Sequence, residues 1–587
     1  MRIKPALQLS LPQEKADRNR QVLNVLIPAT QILAKMTRYG IPISKEILYF
    51  KFEAWKRRLH KLKYGEDGLF KLLDRPINLN SHVQVKELFY DELKFPRIRK
   101  KDGKTTTNVY AQVRTKYEQE VKLQELSDER DQIYDLLKEK KSTDERSPIL
   151  RQLHEIDKEY KICEKNVKII SRIREIKLLE KRYGTFVLKF LTYTPCSNCI
   201  SWDSKSGCEI CVGTGAGEPT GYDKHFVSED KNGQWWTHPV YIQSPATIRL
   251  ACTSPNWHQM ARKDKEYNIA IRDIVVSPKG KLIVIADKEK AERWGAAIIF
   301  KAASILFELK DKEAVAKFCN AAFGVAIERA KKGTRYYNGG KTQMYASQYF
   351  AEGQTSHESL LTGAGIYITL KEARKLCRKI EYEIYGDYSK NVKQTTWNSL
   401  CKGYVTTLQG SRLSLVADPE LGSYDRWQDI ENDYSKQGRI ALRLFKKACR
   451  LISSYIIQGS MTGVASVLDV VRFQDELDKY LNPRWSHHRV KNGDWSKARL
   501  LWTKHDELAV LCDENLVETV KEIMQKVMTM DTFQPYLTDH PTINVPIKLE
   551  FEPVGRQWDV KPEKGFEEMT EDKNPDYFYR DGILFQS

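Results

Sequence analysis

A chain of 587 residues with 96 Lys and Arg against 78 Asp and Glu has a formal net charge of +18. It is too long for one compact core of ordinary size, and its basic excess favours a polyanionic partner such as nucleic acid. No stretch reads as the roughly 18 to 20 uncharged apolar residues of a membrane span, and the start, MRIKPALQLSLPQEKADRNR, lacks the apolar segment of a secretion signal. We therefore expect a soluble chain of the cytoplasm with no membrane partner. Of eleven cysteines, seven stand singly (Cys163, Cys252, Cys319, Cys377, Cys401, Cys449 and Cys512), as suits a reducing compartment.

In chain order, residues 21–60 carry helical apolar spacing interrupted at RYGIPIS, and in PINLNSHVQVKELFYDEL either Asn80 or Ser81 can cap a short amphipathic helix. From Arg114 to about Leu191, dense charge with Leu and Ile at three- and four-residue steps predicts a long antiparallel helical hairpin, broken at STDERSP. Such a run is either a solvated helical face or an arm that tracks nucleic acid. Next, CSNCISWDSKSGCEIC sets Cys196, Cys199, Cys208 and Cys211 as two CxxC pairs with eight residues between. Four thiolates at that spacing can close tetrahedrally on one structural Zn²⁺, leaving no open position for catalysis. NGQWWTHPVYIQ reads as strand, and KLIVIAD as a buried strand ending in a carboxylate. Helices are expected to dominate from Ala291 to Gln458. ARLLWTKHDELAVLC and NVPIKLEFEPV return to strand, and the last twenty-odd residues read as a polar tail.

Asp287, closing KLIVIAD, and Asp506, in the polar knot between two apolar runs, both stand where a sheet presents a carboxylate at its end. Two such groups can hold two Mg²⁺, the hard cations that serve attack on a phosphate. The bland alternatives are that Asp287 only caps the following helix and that His505 and Asp506 are only turn residues. Lys341, Tyr345 and Tyr349 recur at i, i+4 and i+8, which puts a cation for phosphate and two rings on one helix face. Arg450, Ser454 and Gln458 repeat that spacing on a second helix.

Taken together, these segments resemble the polymerase region of family A DNA polymerases, the DNA polymerase I class. MTRYGIPIS and INLNSHVQVKELFYDEL look like its opening segments, and ATIRLACTSPNWHQ resembles TGRLSSTDPNLQN. IRDIVVSPKGKLIVIAD resembles the approach to motif A, and the Lys341 helix motif B. GYVTTLQGSR is similar to GYVxTLxGRRR, IIQGSMTGVAS to the QGTAAD segment, and HDEL to motif C. The CVGTGAG that trails the cysteines also resembles, over some twenty residues, the zinc modules of J-domain co-chaperones.

The family resemblance implies an α+β, right-hand fold with an antiparallel palm sheet, helical fingers and helical thumb. The expected boundaries are an N-terminal helical segment over 1–104, thumb 105–195, zinc-knuckle insertion 196–222, palm 223–310, fingers 311–430, and palm again with the C-terminal tail over 431–587. It implies a DNA-templated DNA polymerase that works by two metal ions, with Mg²⁺ at Asp287, Lys288 and Asp506, Glu507 supporting the metal site, and His505 near the primer terminus. Glu292 would crowd the sugar 2′ position and reject ribonucleotides. Lys341 would hold the triphosphate, with Arg335 or Lys332 reaching in to assist, and Tyr345 and Tyr349 would line the sugar and base pocket. Tyrosine at Tyr345 implies acceptance of dideoxynucleotides. Arg249, Asn256, Arg450 and Gln458 match residues that touch the duplex. The expected partners are primer-template DNA and dNTPs, with a monomeric chain; the zinc knuckle either braces a loop near the duplex or docks a replication protein.

Departures from the pattern are equally visible. Motif A reads DKEKAERW where the family has D-Y-S-x-x-E-x-R, so Lys288 and Glu289 replace tyrosine and serine and Trp294 the arginine. Tyr337 stands where motif B has its first arginine, Ala346 replaces a glycine, and Ser454 an asparagine. Only about thirty residues precede MTRYGIPIS, so no proofreading exonuclease is expected in this chain. Two other readings are a catalytically weak DNA-binding scaffold that retains the fold, motivated by the altered motif A, and a single-subunit RNA polymerase, which shares the two aspartates and a motif B lysine.

Overall fold

The computed structural model describes residues 26–99, 105–139, 142–191, 193–195, 216–219, 227–242, 249–260, 263–264, 266–481, 495–529, 547–558, 560, 577–580 and 583–586. Cys196, Cys199, Cys208 and Cys211, and with them the expected zinc knuckle, lie outside the described residues.

Helix α1 (Ile27–Tyr39) begins with Pro28 in its first turn, where a missing N–H is no loss, and gives way at Gly40 to strand β1 (Ile41–Ile43). Helix α2 (Lys45–Tyr64) is capped by the Ser44 hydroxyl, which accepts from the Ile47 N–H. Of the two expected caps farther on, Ser81 is the one used: it accepts from Gln84 N–H at the start of His82–Lys86. The charged segment is α3 (Val109–Glu139) and α4 (Thr143–Arg182). Gln119 meets Asn166, Lys122 meets Glu159 and Arg130 meets Asp157, so the two run antiparallel as expected. The first helix ends at Glu139 and the second begins at Thr143, so the break takes in Ser142, the first residue of STDERSP, and Pro148 is accommodated near the start of α4, where it forfeits one backbone bond.

NGQWWTHPVYIQ splits at His238-Pro239. Its first half pairs into a small antiparallel sheet of β1 with β2 (Val227–Glu229) and β3 (Trp235–Thr237), in the order β1-β3-β2. Strand β4 (Lys281–Lys288) leads through a tight turn into α5 (Ala291–Ile299). A helical region follows, with α6 (Arg335–Gln348), α7 (Gly353–Ala364) and α8 (Lys436–Gln458) around a core that includes Phe300, Met344, Leu360, Tyr388 and Phe445. A two-stranded hairpin, Tyr404–Thr406 with Arg412–Ser414, interrupts the helices. A π-helical turn, Gly459–Val464, joins α8 to α9 (Ala465–Leu481). The run Lys436–Leu481 corrects one expectation, since it contains a window apolar enough to cross a membrane; 83% of that window is buried within the fold, so its apolarity serves the core.

Strands β5 (Ala498–Lys504), β6 (Glu507–Asp513) and β7 (Leu549–Phe551) join β4 in an antiparallel sheet of order β5-β6-β4-β7. Ile283, Ile285, Ala509 and Leu511 pack on the core that holds α2, Trp257, Trp502 and Trp558. Val284, Ala286, Leu508, Val510 and Cys512 face a second core with α1 and α9. Both faces are covered, so the strands read as unbroken apolar runs.

The tail expectation is corrected. Tyr577–Arg580 pairs with Ile583–Gln586, Phe585 is buried against Phe50 with ring centroids 5.9 Å apart, and the Gln557 side chain both accepts from Leu584 N–H and donates to its carbonyl. Alternating β-formers flank Asp581-Gly582 in YFYRDGILF, a strong hairpin signal that outweighs the polar average of the segment. The seven single cysteines are free thiols.

Candidate active site

Asp287 is the penultimate residue of β4, just past the apolar Ile283–Ala286, and its register partner on β6 is Glu507. It does not cap α5, whose N-cap is Lys290. Lys504 pairs with Glu507, so His505 and Asp506 form a two-residue turn, with His505 at φ 62°, in the left-handed region. Two bonds fix that turn from outside: Ser466 Oγ donates to the His505 carbonyl, and Lys288 N–H donates to the Asp506 carbonyl at 3.3 Å. Burial raises the Asp506 carboxyl to about 7, and the negative charges of Asp287 and Glu292 add to the effect against weaker relief from Lys288. Two crowded carboxylates at a sheet end are a donor set that fits hard divalent cations.

Lys288 is the clearest correction at residue level. The twofold alternation of β4 sends its side chain to the face opposite Asp287, where it is 2% exposed and its ammonium meets Asp469 of α9 at 2.5 Å. A buried ammonium cannot ligate a cation, so the Lys288 side chain is excluded from a metal shell. Glu507 is buried, and Trp502 Nε1 donates to it at 2.7 Å. Burial raises its carboxyl, and it senses Asp287 and Arg272. Behind it, Trp502 and Trp558 lie 4.5 Å apart, and the Arg272 guanidinium stands 4.5 Å over Trp558.

Glu292, in the first turn of α5, accepts from both Arg249 and the Tyr349 hydroxyl. Arg249 Nε also donates to Thr462 Oγ1 at 2.7 Å, and Gln458 interacts with the Tyr349 phenol. Burial pushes the Tyr345 phenol up to about 12, with Arg293, Glu308, Glu292 and Asp506 close enough to be felt. Asp287, Asp506, Glu292, Arg249, Tyr345, Tyr349 and Gln458 therefore form one cluster, although Tyr349 is the C-cap of α6 rather than part of it. Lys341 is exposed on α6. Glycine is required at two contacts here: a Cβ on Gly295 would stand 2.4 Å from Met461, and one on Gly340 would stand 2.3 Å from the Cys319 sulfur. The first lets α5 lie on the π-helical turn, and the second seats the residue before Lys341.

His505 lies beside this cluster, its ring centroid 6.0 Å from that of His258; burial and the charge of Arg249 lower its imidazole to about 4, so it is neutral at pH 7. Other expected residues are engaged elsewhere. The Arg335 guanidinium stacks 5.0 Å from the Tyr336 ring. Arg450 binds Glu352 at 3.0 Å, and the Asn256 side chain accepts from the Cys252 thiol at 3.8 Å. A separate cavity of about 930 Å³ opens behind α6, where Gln343 and Ser347 lie roughly 200–240° round the helix from Lys341. Thr462, Ser466 and Asp469 were not anticipated. Their only trace in the sequence is that they punctuate an otherwise apolar stretch.

A paired-carboxylate sheet end thus stands beside the helix that carries Lys341 and Tyr345. The chain is similar in fold to the POL domain of Pol1 from M. smegmatis, solved in complex with DNA primer-template and dNTP: the TM-score is 0.58 at 17% identity, covering 93% of this chain and 72% of that one. No curated protein matches it in sequence. The model of DNA polymerase family A matches residues 227–560, more than half of the chain. The protein belongs to that family and is a DNA-directed DNA polymerase.

Proposed function

We propose that the protein extends a primer 3′-OH on a DNA template with dNTPs, and that Asp287 and Asp506 hold two Mg²⁺ for that step. The register that sets Asp287 at the end of β4 beside the two-residue turn bearing Asp506 carries this reading, because two carboxylates at one sheet end suit divalent cations. The ions would supply Lewis-acid stabilisation of the attacking and leaving oxygens. Glu507, fixed by Trp502, buttresses the hairpin behind Asp506. Lys341 projects from α6 to bind the triphosphate, where its fixed charge meets charge that develops during transfer. Glu292, held by Arg249 and Tyr349, is pre-set against a sugar 2′-OH, and Tyr345 lines the same pocket. On this reading, α3 and α4 are the thumb, the four-stranded sheet the palm, and α6 and α7 part of the fingers.

The test is primer extension with Mg²⁺ and either dNTPs or rNTPs. Extension should be much faster with dNTPs, and added dideoxynucleotides should terminate it readily. Equal use of rNTPs would remove the role given to Glu292, and no extension by folded, DNA-binding protein would remove the catalytic reading.

The CxxC pairs support one structural Zn²⁺ at Cys196, Cys199, Cys208 and Cys211. Elemental analysis should find about one zinc per chain, and its absence from protein purified without chelator would end this assignment.

A further inference from the structure

Among the polar side chains of the helical run that crosses the back of the site, Gln458, Thr462, Ser466 and Asp469 recur at steps of four, four and three. Four-residue steps drift round a 3.6-residue helix, and the wider π-helical turn Gly459–Val464 takes up that drift. The four residues thus form one stripe, and each ends on a different part of the site. Gln458 reaches Tyr349, and Thr462 holds Arg249, which holds Glu292. Ser466 holds the carbonyl of His505, the residue before Asp506. Asp469 holds the ammonium of Lys288, the residue after Asp287. The bond from Lys288 N–H to the Asp506 carbonyl closes the circuit.

We propose that Ser466 and Asp469 are positioning residues that clamp the β5–β6 turn and the end of β4 onto α9, and so fix the relative placement of Asp287 and Asp506 for divalent cations. The inference rests on the reading that these carboxylates hold the metals. Its physical basis is burial. Ser466 is 4% exposed, and Asp469 and Lys288 are 3% and 2% exposed, so these side chains are largely shielded from water. For stability alone, a buried ion pair does no better than an apolar pair of similar volume, whereas it does fix register and orientation. Lys288 is where orientation matters, because a one-residue slip of β4 would carry Asp287 to the α9 face.

The experiment is Mn²⁺ binding to the DNA-free protein, followed by the paramagnetic resonance of free Mn²⁺, alongside melting temperature. Four proteins are compared: wild type, Asp506→Ala, Ser466→Ala, and the apolar double variant Lys288→Met/Asp469→Leu. Ser466→Ala and the double variant should melt close to wild type yet bind Mn²⁺ at least about tenfold more weakly, the scale of groups that orient ligands. In primer extension, kcat should fall while the KM for dNTP is unchanged. Wild-type Mn²⁺ affinity in Ser466→Ala or in a folded double variant would overturn the clamp and leave these residues a packing role; if the double variant fails to fold, Ser466→Ala decides. Asp506→Ala separates the two readings: undiminished Mn²⁺ binding there would overturn the metal assignment itself, and the clamp with it.

Discussion

Asp506→Ala should give a folded protein that no longer extends a primer, with a loss of about a thousandfold or more. That is the scale of the several kcal/mol of charge stabilisation that a metal site supplies to the transition state. The same variant should be more stable than wild type in EDTA at pH 8. Burial and Asp287 raise the Asp506 carboxyl to about 7, so between the ordinary carboxylate range near 4 and pH 7 the folded state binds a proton that the unfolded chain has released. This contribution to stability therefore falls as pH rises from about 4 to about 7 and is level above that. Removing the carboxylate removes the decline. Melting temperatures at pH 5 and pH 8, with EDTA or Mg²⁺, would show it: Mg²⁺ should raise the melting point of wild type at pH 8 and have little effect on the variant. A variant that melts below wild type at pH 8 in EDTA would mean that the two carboxylates do not repel each other as described.

Arg293→Ala should be among the most destabilising single changes in the chain. The guanidinium is 1% exposed; it binds Glu308 at 2.5 and 3.2 Å, donates to the Met344 carbonyl at 3.2 Å, and lies 4.8 Å from the Tyr385 ring, whose hydroxyl also bonds Glu308. Truncation strands a mostly buried carboxylate, and breaking such a pair costs about 3–5 kcal/mol. The bond to Met344 also ties α5 to α6, one residue before Tyr345, so nucleotide affinity should weaken in any folded remnant. Denaturant unfolding gives the number. Arg293→Met/Glu308→Leu should recover much of the loss, and a single-variant loss below about 1 kcal/mol would mean that Glu308 finds water instead.

The strands that carry the two carboxylates were legible because both faces of the sheet are buried: KLIVIAD and LLWTKHDELAVLC read as apolar runs, and the only polar break between β5 and β6 had to be a turn or a site. In the structure it is a turn, and Asp506 within it lies close to Asp287. The Lys341–Tyr345 face followed from helical periodicity, and the α3–α4 hairpin from charge density with apolar residues every third or fourth place. The C-terminal hairpin was legible too, in Asp581-Gly582 between alternating β-formers, but segment-average polarity hid it.

Local pattern thus determined which residues form strands and helices, and which carboxylates stand at a sheet end. Only the tertiary structure decided what their neighbours do. Lys288 reads as a candidate metal residue in sequence, yet period-two alternation turns it to the far face, where α9 supplies Asp469. Arg335 reads as a reserve cation for Lys341, yet it stacks on Tyr336. Thr462, Ser466 and Asp469 gain their meaning from three separate segments that arrive at one helix face. Periodicity is set by the backbone within a few residues, whereas the partner of a buried charge is set by which distant element packs against it.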